Sequence, residues 1–503
     1  MVATDTLEDS FPGSTKFSQE IVSLSGWVVL IFVICQVPHS HPLHCIAGIS
    51  GEGAGTRSPH CMNLLRFYPL KGLPKQGQLW SWISFDVANQ SFTLIVNTLL
   101  FSIFFGAVVV QDTGTDDRWW SIAYGSSMVL AALLSPLAGA AADERAWKKS
   151  GLIVTGLICS IFTCALALIQ PGQIWLALLL YIPANFAFAI GENFLAAFLP
   201  TLARNHEVGR VSGFSWGLAY FAALLLLGAT AVCMAVFKLE TPEQWRPFFV
   251  GAGLWFLLFT IPTMLRLREP AVAREVHQGQ SLLKIGFVRL GQTLKHLRGF
   301  RDLAMLMFAS FFCGTGMTVV VSFASKLAGE YGFGQEKLVI FMAVITVSGI
   351  VGTFIPMMFQ DRVGHRKMTA ILLLVWIGSA VGFAGYANLY ESHALRGDGS
   401  VFPTWPLWLI GNLLGFGLGS LGSANRAFVG FLAPPEKAAE MFGIWGMMFK
   451  LAAVMTFPFA WVKDTVGTPE ALMLLGGFLG IALLLTLFID EKRGHRAANG
   501  AVT

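Results

Sequence analysis

Charged and amide side chains set inside long apolar runs are where this chain could do chemistry. Asp86, Asn89, Gln90, Thr93 and Asn97 share one such run, Asn185, Glu192 and Asn193 another, and Arg426 and Lys450 occupy two more. An ionised group at the centre of a bilayer costs about 2.5–3.5 kcal/mol on insertion scales, so each needs a partner or a task. At about 100° per residue, Asp86, Gln90, Thr93 and Asn97 fall near one line with Asn89 on its border, which predicts a polar stripe facing a central cavity. The amides would serve equally well as glue between helices. Glu192 follows Asn185 by two helical turns, on the same face, and is the candidate proton carrier; a static ion pair with Lys450 or Arg426 is the competing reading. Lys450 would neutralise a carboxylate, either of the protein or of a bound solute. Trp216 and Trp445 stand at matching places, Ser215-Trp-Gly217 and Ile444-Trp-Gly446, where an interfacial anchor is the commoner use of Trp. Arg426, near the inner end of its run, has the reach to snorkel to headgroups. The chemistry these groups suit is recognition of a small charged solute and movement of a proton. No nucleophile with an adjacent base, and no metal-ligand spacing, stands out in the apolar runs, so an enzyme, a cofactor or a metal is not expected.

The elements that must hold these groups are apolar helices. The chain is 55% hydrophobic and 13% charged, with 42 Phe and 15 Trp, far from the composition of a soluble globular protein. Runs long enough to cross a bilayer, roughly 17–25 residues, fall near 83–110, 120–142, 151–169, 173–200, 211–236, 247–265, 303–325, 338–359, 368–390, 405–430, 440–462 and 469–489. If residue 83 enters from the cytosol, the inner loops and the C-terminal tail carry roughly three times as many Lys and Arg as the outer loops. The expected fold is therefore an all-α membrane protein of twelve transmembrane helices, with both ends of residues 83–489 in the cytosol. The lipid bilayer is its surroundings, and a small-molecule substrate with a proton as coupling ion its expected partners. The basic residues are scattered over short loops and do not indicate nucleic acid. No G-x-x-x-x-G-K-[ST] occurs, so ATP-driven pumping is not expected of this chain.

Two charged loops repeat one pattern. Gly139–Lys149 reads GAAADERAWKK and Asp361–Lys367 reads DRVGHRK, each between two apolar runs. They resemble the G-x-x-x-D-R-x-G-R-K loop of the major facilitator superfamily, found between helices 2 and 3 and between helices 8 and 9. The resemblance implies two pseudo-symmetric six-helix halves that work by alternating access. It also implies that Gly139, Asp143, Asp361, Arg362, Gly364, Arg366 and Lys367 latch the halves on the cytosolic side. In the first loop Glu144, Ala146 and Trp147 replace Arg, Gly and Arg, so the second loop is expected to be the stronger latch, with Asp361-Arg362 as its hub. On helix 10, Gly411, Gly415, Gly419 and Ser423 form a ridge of small residues, and Gly349 and Gly352 precede Pro356 on helix 8. Both features suit close, sliding helix contacts.

Trp82-Ile-Ser-Phe-Asp-Val-Ala-Asn-Gln-Ser-Phe92 resembles the Y-D-W-A-N-S-A-F/Y signature of the "unknown major facilitator" family, relatives of the autophagy-linked vacuolar effluxers. Phe198–Ala203 with Gly209–Tyr220, and Asn425-Arg426 with Glu440–Gly443 and Lys450–Ala453, resemble its helix 4–5 and helix 10–11 regions. Phe85, Val87 and Gln90 depart from the signature. The resemblance implies a secondary transporter, and the fungal relative implies export of amino acids from a degradative compartment. The expectation here is an exporter of amino acids or similar small zwitterions in the cell (inner) membrane. A multidrug-type or other small-solute exporter is the alternative, and a non-transporting receptor or scaffold on the same fold is a third.

Around this core the sequence suggests further parts. Residues 1–61 are an extension, with the uncharged run Ile21–Val37 and a His/Cys group (His39, His41, His44, Cys45, His60, Cys61) that matches no standard zinc spacing. Residues 62–265 form the first half, 266–302 a basic linker, 303–490 the second half and 491–503 a tail. In the linker Leu283, Phe287, Leu290, Leu294 and Leu297 make one helical stripe bordered by Lys284, Arg289, Lys295 and Arg298, which suits a helix lying on the inner leaflet. Cys159, Cys164, Cys233 and Cys313 lie within apolar runs, where a disulfide framework is not expected.

Overall fold

The computed structural model describes residues 70–111, 116–204, 206–239, 241–269, 300–333, 335–396 and 402–500. The expected amino-terminal extension with its His/Cys group and the amphipathic linker helix lie outside these residues.

Twelve helices are long and apolar enough to cross a membrane. They are α1 (Gln76–Val110), α2 (Ile122–Arg145), α3 (Lys148–Leu168), α4 (Ile174–Leu202), α5 (Val208–Phe237), α6 (Pro242–Arg266), α7 (Arg301–Phe323), α8 (Ala343–Val363), α9 (His365–Leu395), α10 (Trp405–Leu432), α11 (Pro435–Lys463) and α12 (Thr468–Leu487). A short helix, α13 (Glu491–Gly500), follows. Helices satisfy their own backbone hydrogen bonds, which is what hydrocarbon demands of any spanning segment.

Apolar side chains gain little from each other when lipid is the alternative, so close packing must hold the bundle together. Glycine supplies it where helices cross. The α10 ridge lies against α8: Gly411 faces the Phe341 ring, Gly415 the Ile345 carbonyl and Gly419 the Gly349 carbonyl, while Gly352 of α8 faces the Phe416 carbonyl. In each case a methyl group would collide with a neighbour. Within the first half an aromatic stack joins α1, α4 and α6, with Phe101 against Tyr181 (5.6 Å) and Phe249 (5.4 Å). The second half packs around the buried Trp376, whose Nε1 donates to the Leu414 carbonyl at 3.1 Å.

Helix α1 departs from the regular helix on which the polar stripe was expected. Phe92–Leu99 and Phe105–Val110 are wound as π-helix, with Leu100 N–H donating to the Ile95 carbonyl and Gln111 N–H to that of Gly106. A wider turn advances each residue by less than an α-helix does. The stripe is therefore broken: Asp86 and Asn97 serve different neighbours, as described below.

Candidate functional site

The halves meet at the motif-loop end through two matching contacts. The Asp361 carboxylate, at the end of α8, accepts the backbone N–H groups of Gly209 (2.8 Å) and Arg210 (2.9 Å) in the first turn of α5. The Asp143 carboxylate, at the end of α2, accepts the N–H of Glu440 (2.8 Å), early in α11, and pairs with Lys148 Nζ at 2.7 Å. Each acid thus caps a helix of the opposite half, where free N–H groups and the helix dipole both favour negative charge. Glycine lets the backbones approach: Gly139 lies on the Ala439 carbonyl, Gly443 on that of Ser135, and Gly213 on Met357.

Three expectations change here. The first loop is engaged as well as the second, with Asp143 buried and bonded to Lys148 and to Glu440 N–H despite Ala146 and Trp147. Arg362 is exposed and no ion pair or hydrogen bond with the described residues engages it, so the hub is Asp361 acting on helix ends rather than an Asp-Arg pair. Arg366 instead anchors α9: its N–H donates to Glu491 and its Nη1 to the Ile489 carbonyl (3.1 Å). The sequence reading missed that acid and its counterpart. Glu269, just past α6, accepts Lys148 and Lys149 N–H at 3.0 and 2.9 Å, capping α3 as Glu491 caps α9. An acid shortly after the last helix of each half was the available signal. Burial pushes the Glu269 carboxyl up from its ordinary range, against the pull of those two amides. Asp490 is held low, chiefly by the Arg493 N–H that it accepts.

Deeper in the bundle, Arg426 does not snorkel. It is 3% exposed, and its Nη1 meets Asp86 Oδ2 at 2.8 Å, across the two halves. Ser215 donates to the same carboxylate oxygen (2.5 Å), Arg426 Nε bonds Ser212 Oγ (3.0 Å), and the guanidinium lies over the Trp82 and Trp216 rings. Trp216 therefore holds the cation rather than the membrane interface. Trp445 likewise turns inward, its Nε1 donating to Asn425 Oδ1 at 2.7 Å. Ser212 and Ser215 were not singled out from sequence, because serine in a helix carries no signal of its partner.

Glu192 and Lys450 lie nearer mid-span. Glu192 is exposed although it sits deep in α4, and among the described residues no cation or donor lies within bonding distance of it. It is nonetheless in the electrostatic field of Lys450, Asp86 and Arg426. Lys450 Nζ bonds Asn193 Oδ1 (3.5 Å) and the Gly446 carbonyl (3.3 Å). Neither Lys450 nor Arg426 forms an ion pair with Glu192, so the static-pair alternative fails. Asn193 Nδ2 also donates to Ser135 (2.8 Å). Asn89 is buried with neither amide atom bonded, while Gln90 is half-buried. Asn97 belongs to another set, donating to Asn185 Oδ1 (3.0 Å) and accepting from Tyr181 OH (2.8 Å). The hydrogen bonds between halves described above all lie between the motif loops and mid-span, so the halves are joined at that end of the bundle.

A family profile described as "Vacuole effluxer Atg22 like" matches residues 121–499. The chain belongs to that family. An uncharacterized MFS-type transporter of Bacillus subtilis (strain 168), YxiO, is 25% identical over 388 residues, covering 75% of this chain and 85% of the relative. Autophagy-related protein 22-1 of Penicillium rubens is 23% identical over 450 residues, covering 74% and 75%. Among solved structures, the MFS proton:xylose symporter XylE superposes with a TM-score of 0.61 at 15% identity, over 85% of this chain and 99% of that one. FucP in the outward conformation gives 0.60 at 14%, over 82% and 98%. The Atg22-like chain thus has the major facilitator fold and is a multi-pass membrane transporter.

Proposed function

We propose that this Atg22-like protein is an alternating-access exporter of amino acids or similar small zwitterions. The observation that carries the reading is the unpaired, exposed Glu192 within the field of Lys450 at mid-span. A carboxylate and an ammonium that face one space without meeting suit a solute bearing the opposite pair, its ammonium toward Glu192 and its carboxylate toward Lys450. An unpartnered charge in a membrane is costly unless solute or water completes it. Asn193, which already bonds Lys450, positions the ammonium, and the two free amide atoms of Asn89 add a donor and an acceptor. The family description, a vacuole effluxer, supports release of a solute from a compartment, and the cell (inner) membrane is the proposed location. A proton on Glu192 would take the place of substrate during the return step.

The test is counterflow and proton-driven flux in proteoliposomes with an amino-acid panel. Glu192→Gln should abolish proton-driven flux, while exchange, which needs no net proton movement, persists with weakened binding of substrates bearing an ammonium. Lys450→Gln should weaken binding of every substrate bearing a carboxylate. Undiminished proton-driven flux in Glu192→Gln would make this glutamate structural, with Asp86 the next candidate.

A further inference from the structure

At the end of the bundle opposite the motif loops, α3 and α6 leave an open groove of about 560 Å³, lined by Ala167, Arg246, Pro247, Val250, Gly251 and Leu254. Its size lies within the roughly 300–1,000 Å³ of ligand sites. The walls are apolar: Val250 and Leu254 are exposed, and a Cβ on Gly251 would meet nothing within 4 Å. One cation stands at its head. Arg246 donates through Nη1 to the carbonyls of Ala167 (2.9 Å) and Ile169 and stacks on the Phe104 ring at 5.1 Å. These contacts fix the guanidinium and leave its Nε and Nη2 donors unused by the described residues. Arg246 also opens a long helix, whose dipole adds to the attraction for an anion. Glu243, one turn earlier, forms no ion pair with it.

We propose that this groove holds an anionic phospholipid of the non-cytosolic leaflet, one acyl chain along Val250, Gly251 and Leu254 and the phosphate on Arg246. An apolar groove beside a fixed guanidinium at the outer end of α6 complements a lipid, where a free anion would need no groove. The planar fork suits a phosphate better than a point charge would. Bound there, the lipid would tie the outer ends of α3 and α6 together.

The test is native mass spectrometry of the full chain extracted from vesicles of equal phosphatidylcholine and phosphatidylglycerol. Wild type should retain phosphatidylglycerol preferentially. Arg246→Gln should lower its retention about tenfold, the loss of one charge-assisted hydrogen bond. Gly251→Leu, whose Cβ meets no protein atom and whose side chain occupies the groove, should lower it as well, and decides the matter alone if Arg246→Gln fails to fold. Equal retention of the two lipids by wild type would overturn the proposal. So would unchanged retention in Gly251→Leu, because the anion would then bind without its acyl chain.

Discussion

Replacing Asp361 with asparagine tests the claim that helix capping, rather than an Asp-Arg pair, shuts the cytosolic gate. The carboxylate accepts two N–H groups of α5, at 2.8 and 2.9 Å. Asparagine keeps one acceptor and turns an NH2 group toward the second N–H. The change removes one charge-assisted hydrogen bond, about 1.5–3 kcal/mol, and a favourable dipole interaction of about 0.3–1 kcal/mol. The shut state should lose about 2–4 kcal/mol relative to the open one, a shift of roughly 30- to 1,000-fold in their ratio. Ser423 is a suitable reporter: it is fully buried at the contact, and its carbonyl accepts Ser212 Oγ from the other half. In inside-out vesicles carrying Ser423→Cys, a membrane-impermeant maleimide should react at least tenfold faster when Asp361→Asn is added. Arg362→Gln and Glu144→Gln should leave that rate within about twofold. An unchanged rate in Asp361→Asn, or an equal rise in Arg362→Gln, would refute the capping argument.

Breaking the buried Asp86–Arg426 pair should cost about 3–5 kcal/mol in either single variant, Asp86→Asn or Arg426→Gln, because the remaining charge stays buried. A double-mutant cycle by thermal unfolding in detergent should show strong coupling, and additive losses would mean that the pair is not the unit. Ala146 sits at φ 53° where the second loop has Gly364 at φ 99°. Ala146→Gly relieves the left-handed strain, about 1–2 kcal/mol, less the extra freedom of glycine in the unfolded chain, about 0.5–1 kcal/mol; a small rise in Tm is expected, and a fall would show that the methyl group packs. Burial raises Glu269 above its unfolded value, so its contribution to stability is fullest in acid and falls as pH rises through the folded pKa. The Tm of wild type relative to Glu269→Gln should therefore decline as pH rises from about 4 toward neutrality. The opposite slope would mean that the two amides outweigh burial.

Much of this protein was legible in its sequence because hydropathy is local and additive. Twelve apolar runs must become helices wherever they sit in lipid, and their observed bounds differ from the expected ones by only a few residues at most ends. The loop acids Asp143 and Asp361, and the mid-span charges Glu192 and Lys450, also stand out locally, as polar groups in apolar surroundings. Partnership is different. Asp86 and Arg426 are 340 residues apart, and their contact exists only because the fold brings α1, α5 and α10 together. Sequence therefore offered Arg426 both the central cavity and the headgroups, where an isolated cation would go. The π-turns of α1 likewise escaped a regular 100° projection and sent Asn97 to α4 instead of the expected stripe. The residues themselves determined which segments enter the membrane and which charges need a reason to be there. Only tertiary packing decided which charges satisfy one another and which, like Glu192, are left for a solute.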